Sequence, residues 1–266
     1  MGYVLLKGCP IDTELSAPPL DGMRVAEKTW VSEAILLSST LACGFNPYGY
    51  KQEKNGLLVH EIAPTKQLLH SISSGGVEEF LADVDGAYLP RMLRPEVLSL
   101  ICLNNEASTA ARISRIDDIL NSLSSSDIDL LCSPLFTHES PTTFSSDGVR
   151  HTTSSILDRI DGTWEVKVAT HSSVALTKEA QEALCQFREV TKLVSKSVHW
   201  EPGDLMIFSN RRCLHSRAKI NGQRWLQRCY GSSFVPLGEV VDLSDYPMLV
   251  APSALHHAQI AEEKLA

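Results

Sequence analysis

The run Val97 to Leu103, VLSLICL, is apolar at nearly every position. A strand with one wet face alternates apolar and polar residues, so a run without that alternation reads as a strand covered on both sides. Ile128 to Phe136 reads the same way. Tyr3–Leu6, Leu57–Ile62 and Leu205–Phe208 add further short strands. Helical spacing appears over Ala26 to Leu41, with Gly44 just beyond as a stop signal, and over the short amphipathic stretch Arg112 to Leu123. A longer helix spans Thr177 to Ser197, with Thr177 as N-cap and Leu184, Phe187, Val190 and Val194 as its stripe. Many short strands and few helices predict a sandwich or barrel decorated by helices. Thr137 to Ser155, rich in Ser, Thr, Asp, Gly and Pro, reads as a long loop of the kind that forms lids or stays disordered.

The 266 residues suffice for one domain over positions 1–266, and neither repeats nor a shift in composition mark a second. A net charge of -8 argues against nucleic acid as partner, because phosphate binding needs clustered cations. No apolar stretch approaches a membrane span, and MGYVLLKG lacks the layout of a secretory signal. Seven cysteines without a CxxC pair exclude a zinc ribbon or thioredoxin motif and read as free thiols of a cytoplasmic protein.

Chemistry concentrates in Gly203 to Arg228, GDLMIFSNRRCLHSRAKINGQRWLQR. A histidine binds metals at neutral pH, and arginine presents a fork of donors matched to carboxylates. Arg224 and Arg228 are four apart, so a strand points both to one face. His215 with two carboxylate clamps suits an iron site that uses an organic acid. A surface strand with solvated arginines fits the same residues.

Four segments resemble the clavaminate-synthase-like (TauD-like) branch of the iron(II)/2-oxoglutarate oxygenases, which includes amino-acid hydroxylases. GYVLLKGCPID resembles the family's opening strand, YKQEKNGLLVHEIAP its glutamine-containing strand pair and GAYLPRMLRPEVLSLICL the run after its first metal motif. The segment from Gly203 to Arg228 is similar to its C-terminal motif and is the most specific of the four. The resemblance spans nearly the whole chain. It implies a mainly β protein with flanking helices, a double-stranded β-helix or cupin-like jelly roll, whose mouth holds iron(II). It also implies 2-oxoglutarate and O2 as co-substrates and a carboxylate-bearing small molecule, an amino acid or a derivative from specialised metabolism, as substrate. The chain begins at the family's first strand, from which a missing outer segment and a surface free for homo-oligomer formation are expected.

The family's metal ligands are a facial triad: His-x-Asp/Glu on one strand and a distant histidine on another. The distant histidine falls on His215. The first motif should stand directly before Ala87-Tyr88, where this chain reads Asp83-Val84-Asp85-Gly86. The acidic ligand therefore falls on Asp85, and the first histidine has become Asp83. The spacing puts both carboxylates on one strand face, and with His215 they are expected to form a two-carboxylate, one-histidine site suited to harder cations such as Mg and Mn; two acids solvated at a strand end fit the same residues. His199-Trp200-Glu201 is the only His-x-acid in the chain and is placed by the resemblance in an outer loop; His60, His70 and His138 offer no better replacement. Arg224 matches the arginine that clamps the distal carboxylate of 2-oxoglutarate, with Thr109, or the adjacent Ser108, as its hydroxyl partner. Arg228 matches the arginine that grips the substrate carboxylate, and Gln52 and Ser73 match contacts to the substrate's amino-acid head. No catalytic residue beyond the metal ligands is implied. The changed triad leaves a second expectation open: a pseudo-oxygenase, or a non-oxidative enzyme on the same fold.

Overall fold

In chain order the strands are β1 (Tyr3–Leu6), β2 (Asn46–Tyr50), β3 (His60–Ile62), β4 (Phe80–Asp83), β5 (Val97–Asn105), β6 (Ala111–Arg115), β7 (Phe136–Glu139), β8 (His151–Ser154), β9 (Leu157–Ile160), β10 (Thr163–Val166), β11 (Val174–Ala175), β12 (Lys196–Val198), β13 (Leu205–Ser209), β14 (Cys213–Arg217), β15 (Arg224–Ser232) and β16 (Val240–Val241). The helices are α1 (Val31–Ala42), α2 (Ile116–Leu120), α3 (Ser125–Leu131) and α4 (Lys178–Leu193). These come from a computed structural model that describes residues 2–246 except 16, 72, 74, 107 and 142–150.

The larger sheet runs β1–β13–β5–β15–β2–β16, with β3 also paired to β15; the smaller runs β12–β6–β14–β4. Between them lies a core that includes Tyr48, Leu98, Leu100, Cys102, Ile113, Met206, Phe208 and Leu226. The alternate residues of the same strands, among them Val97, Ile101, Leu103, Leu205, Ile207 and Trp225, point out of the barrel and pack with Leu36 of α1. Two-sided burial is what the apolar run Val97–Leu103 predicts, and Leu205–Phe208 shares it: one face meets the other sheet, the other meets a helix. Outside the smaller sheet, Leu214 packs with Ile116, Leu131, Leu184 and Phe187, so α2, α3 and α4 cover that face. Two facing antiparallel sheets wrapped by helices form the double-stranded β-helix that the resemblance implies.

Several elements differ from the sequence reading. Ile128–Phe136 is not a strand: Ser124 Oγ accepts the Asp127 N–H at 3.1 Å and starts α3, whose apolar residues dock on α4, and only Phe136 begins a strand. A short apolar run looks alike in a buried helix and a buried strand. Arg112–Leu123 divides into β6 and α2, because β6 is paired on both edges, by β12 and by β14, and ladder bonds outweigh the helical pattern. The helix expected from Ala26 begins only at Val31, and the strand expected from Leu57 begins at His60, after a turn with positive φ at Lys54, Asn55 and Gly56. The ends of the expected loop Thr137–Ser155 pair as β7 and β8; its middle, 142–150, lies outside the described residues. The long helix forms as α4, with the Thr177 Oγ1 accepting the Ala180 N–H at 3.2 Å, but it ends at Leu193 rather than Ser197, because Lys196–Val198 pairs with β6 as β12.

Candidate metal centre

Asp83 ends β4 directly across the ladder from His215 of β14. Asp85 lies two residues on, past the strand, where a backbone chain would drift without an anchor. Asn210, fully buried in the turn before β14, supplies one: it accepts the Asp85 N–H and donates to the Asp85 carbonyl, both at 2.9 Å. This brings Asp83, Asp85 and His215 together, each with a ligand atom within 4.8 Å of the others.

The protonation pattern suits a cation. His215 Nδ1 donates to the Asp83 backbone carbonyl at 3.1 Å, which fixes the tautomer and leaves the Nε2 lone pair 3.5 Å from Asp85 Oδ1. Burial holds the imidazole neutral by lowering its pKa, against the pull of Asp85. Burial, then the neighbouring Asp85, push the Asp83 carboxyl well above the ordinary carboxylate range. Asp83 Oδ1 is buried with no hydrogen-bond partner among the described residues, at 3.5 Å from His215 Nδ1. An orphaned buried oxygen is costly unless something pairs with it. One nitrogen and two carboxylate oxygens converging on a point are a donor set for a divalent cation, iron(II) included, and the residues fit such an ion.

Beside His215 opens a narrow cavity of about 50 Å³ walled by Ile62, Leu100, Ile113, Trp200, Met206 and Leu226, with Arg217, Arg224 and Arg228 as its charged lining. Alternation along β15 sends Arg224, Leu226 and Arg228 inward together, as their spacing predicts. Arg224 is 5% exposed, makes no hydrogen bond or ion pair among the described residues, and has its Nε buried without a partner. Burial, then the nearby Arg217, pull its pKa down to about 9. A buried guanidinium without a counter-ion facing a cavity is a receptor for an anion. The carboxylates of 2-oxoglutarate fit this pairing of a cation site with a free guanidinium.

The other expected residues are placed less directly on the cavity. Thr109 is buried and bonded through its main chain to the Asn105 side chain at 3.0 and 3.2 Å, and Asn105 stands across the ladder from Arg224. Arg228 already holds two carboxylates, Asp85 at 2.6 Å and Glu53 at 2.7 Å. Gln52 spends both ends of its amide on Asp242 and the Leu243 N–H, at 2.6 and 3.1 Å. Ser73 Oγ pairs with Ser71 Oγ at 2.7 Å. Among the histidines set aside, His60 accepts from Arg228 at 2.9 Å, with burial pulling its pKa down to about 4, and His138 bonds Ser173.

Sequence reasoning missed Arg217, Glu53 and Asn210. Arg217 is two residues from His215, so the rule of alternation marks it as cavity-facing. Its guanidinium is spent on backbone carbonyls, including Ser73, Gly76 and Glu78, and so ties the 73–78 segment to the wall. Nothing local marks Glu53 or Asn210, whose partners lie 175 and 125 residues away.

The two facing sheets, with the Asp83, Asp85 and His215 cluster beside a cavity lined by a buried arginine, make a cupin-like double-stranded β-helix. Residues 137–230, less than half of the chain, match the family described as Taurine catabolism dioxygenase TauD, TfdA family. L-asparagine oxygenase of Streptomyces coelicolor is 28% identical over 248 residues, covering 86% of this chain and 70% of that protein. L-lysine 3-hydroxylase of Catenulispora acidiphila is 23% identical over 225 residues, 82% of this chain and 62% of that one. Among solved structures, asparagine oxygenase in complex with Fe(II), 3-hydroxyasparagine and succinate superposes with a TM-score of 0.79 at 24% identity, over 93% of this chain and 76% of that one. The non-heme iron oxygenase OrfP, in complex with Fe, succinate and (3S)-hydroxy-L-Arg, gives 0.77 at 20% identity, over 96% and 81%. The chain is thus similar over part of its length to the TauD, TfdA family, and over most of it to amino-acid oxygenases.

Proposed function

We propose that the protein is an iron(II)/2-oxoglutarate-dependent oxygenase that hydroxylates a free amino acid or an amino-acid-derived small molecule. The observation that carries the reading is the meeting of Asp83, Asp85 and His215 at a cavity overlooked by the unpartnered Arg224. The oxygenase and hydroxylase relatives support the same reaction class.

His215, through Nε2, and the carboxylates of Asp83 and Asp85 would hold the metal. When bound, iron(II) with 2-oxoglutarate supplies the activation of O2 for C–H oxidation. Arg224 pairs with the distal carboxylate of the co-substrate and so fixes its orientation. Thr109, bonded through its main chain to Asn105 across the ladder from Arg224, is the candidate hydroxyl partner. Trp200, Met206, Leu100 and Leu226 keep the pocket dry, which strengthens each of these contacts and protects reactive species from water. Burial, then Asp85, raise the Asp83 pKa, so cation uptake at this carboxylate competes with protons. Seven cysteines, none paired among the described residues, support a place in the cytoplasm. No helix among the described residues is long and apolar enough to cross a membrane.

Asp83 alone favours a second reading: a pseudo-oxygenase, or a non-oxidative enzyme that uses Mg or Mn at the same site. Anaerobic titration with iron(II) and then 2-oxoglutarate separates the two. The oxygenase develops a weak visible charge-transfer band that His215→Ala abolishes; metal binding without that band moves the second reading ahead.

A further inference from the structure

We propose that Arg228 is a positioning residue of the metal centre, which restricts Asp85 to coordination through one oxygen. The inference rests on the metal assignment above. Arg228 Nη1 donates to Asp85 Oδ2 at 2.6 Å, while Oδ1 of the same carboxylate faces His215 Nε2 at 3.5 Å. The two oxygens thus have different occupations, one given to the guanidinium and one turned to the cation site.

The guanidinium is itself immobile. Nη2 donates to Glu53 Oε1 at 2.7 Å and to His60 Nδ1 at 2.9 Å. Its plane lies over the Tyr230 ring at 4.6 Å, and the Tyr230 hydroxyl donates to the other oxygen of Glu53 at 2.9 Å. Asp85 is held from its other side by Asn210 on the main chain. For Asp85 to turn both oxygens to a metal, a charge-assisted bond would have to break in a buried site, where such bonds are strongest.

A second carboxylate in the donor set is what makes this restraint matter. Two unrestrained carboxylates can each chelate a cation and fill positions that incoming ligands need. With Asp83, Asp85 and His215 giving one atom each, a six-coordinate cation keeps about three places open. A chelating oxo-acid takes two of these and leaves one for a small ligand.

The test counts water on Mn(II) bound to the full-length protein, by pulsed electron paramagnetic resonance in isotopically labelled water. The wild type should carry about three waters. Arg228→Met should carry about two, because the freed Asp85 takes one place with its second oxygen. Arg224→Met removes an equally buried arginine from the same strand face, one that touches neither carboxylate, and should leave the count at that of the wild type. A wild-type count of about two, or an unchanged count in Arg228→Met, overturns the inference and leaves the metal site standing; the wild-type measurement decides even if the variant fails to fold. No Mn(II) bound by the wild type overturns both.

Discussion

At the scale of single residues, the centre depends on which atoms are free to reach a cation. His215 brings the one nitrogen, and without it two carboxylates remain at the end of a strand. His215→Ala should therefore reduce Mn(II) or iron(II) affinity to the level of non-specific binding, measured by titration calorimetry under anaerobic conditions. Asp83→His exchanges a hard anionic donor for imidazole, a better partner for iron(II). It also removes a carboxyl whose pKa is raised by burial and then by the neighbouring Asp85. Tighter iron binding and faster oxygen-dependent succinate formation are expected; no gain in either means that Asp83 is already matched to its metal. Arg224 acts through geometry as much as charge. Arg224→Lys keeps the cation but loses the fork, at about 1.5–3 kcal/mol. 2-Oxoglutarate should then bind about ten- to a hundredfold more weakly, and unchanged affinity would remove Arg224 from the co-substrate site.

At the scale of elements, α1 shows how a helix can depend on a residue far outside it. Its N-cap, Trp30, offers no side-chain acceptor. Asp12 does this from the preceding loop, accepting the Ser32 N–H at 3.1 Å and the Ser32 hydroxyl at 2.6 Å while Lys28 approaches at 3.2 Å. Thr29 donates to its other oxygen. Burial alone would raise the Asp12 pKa, but these hydrogen bonds and Lys28 outweigh it and hold it below the ordinary value. A carboxyl with a depressed folded pKa contributes stability above its unfolded value, and that contribution is lost as pH falls toward the folded one. Asp12→Asn should cost about 2–4 kcal/mol near neutral pH. The variant should also lose less stability than the wild type as pH drops below about 4. Denaturant titrations at neutral and acid pH measure both effects; parallel pH profiles would mean that the Asp12 cluster is not what loosens in acid.

At the scale of the whole molecule, the barrel leaves two polar groups unsettled inside: Asp83 Oδ1 has no hydrogen-bond partner among the described residues, and Arg224 beside it has no counter-ion. Ligands that settle both should stabilise the fold by mass action. At a hundredfold excess over its dissociation constant, a ligand adds about 2.7 kcal/mol. Mn(II) and 2-oxoglutarate together should raise Tm by several degrees and by more than either alone, because the acid chelates the metal while Arg224 holds its far end. The increment from 2-oxoglutarate should vanish in His215→Ala. A shift that survives there would place the acid elsewhere on the molecule.

What the sequence determined by itself follows from local periodicity. Val97–Leu103 and Leu205–Phe208 are apolar on both faces, and a strand with that pattern has one arrangement open to it, between two layers. The four-residue spacing of Arg224 and Arg228 likewise settled that they share a face once they lay on a strand. Thr177 marked the start of α4 because capping is a contact between near neighbours. Tertiary structure alone decided the rest. Ile128–Leu131 is helical because α4 offers it a docking face, and Arg112–Arg115 is extended because two strand edges flank it. Arg228 turned out to be engaged, and Arg224 free, because Asp85 and Glu53 approach only one of them, across 143 and 175 residues of chain. Periodicity is a property of neighbours along the chain. Which charge meets which is set by the ladder register and the turns that bring distant strands together, and no local pattern encodes it.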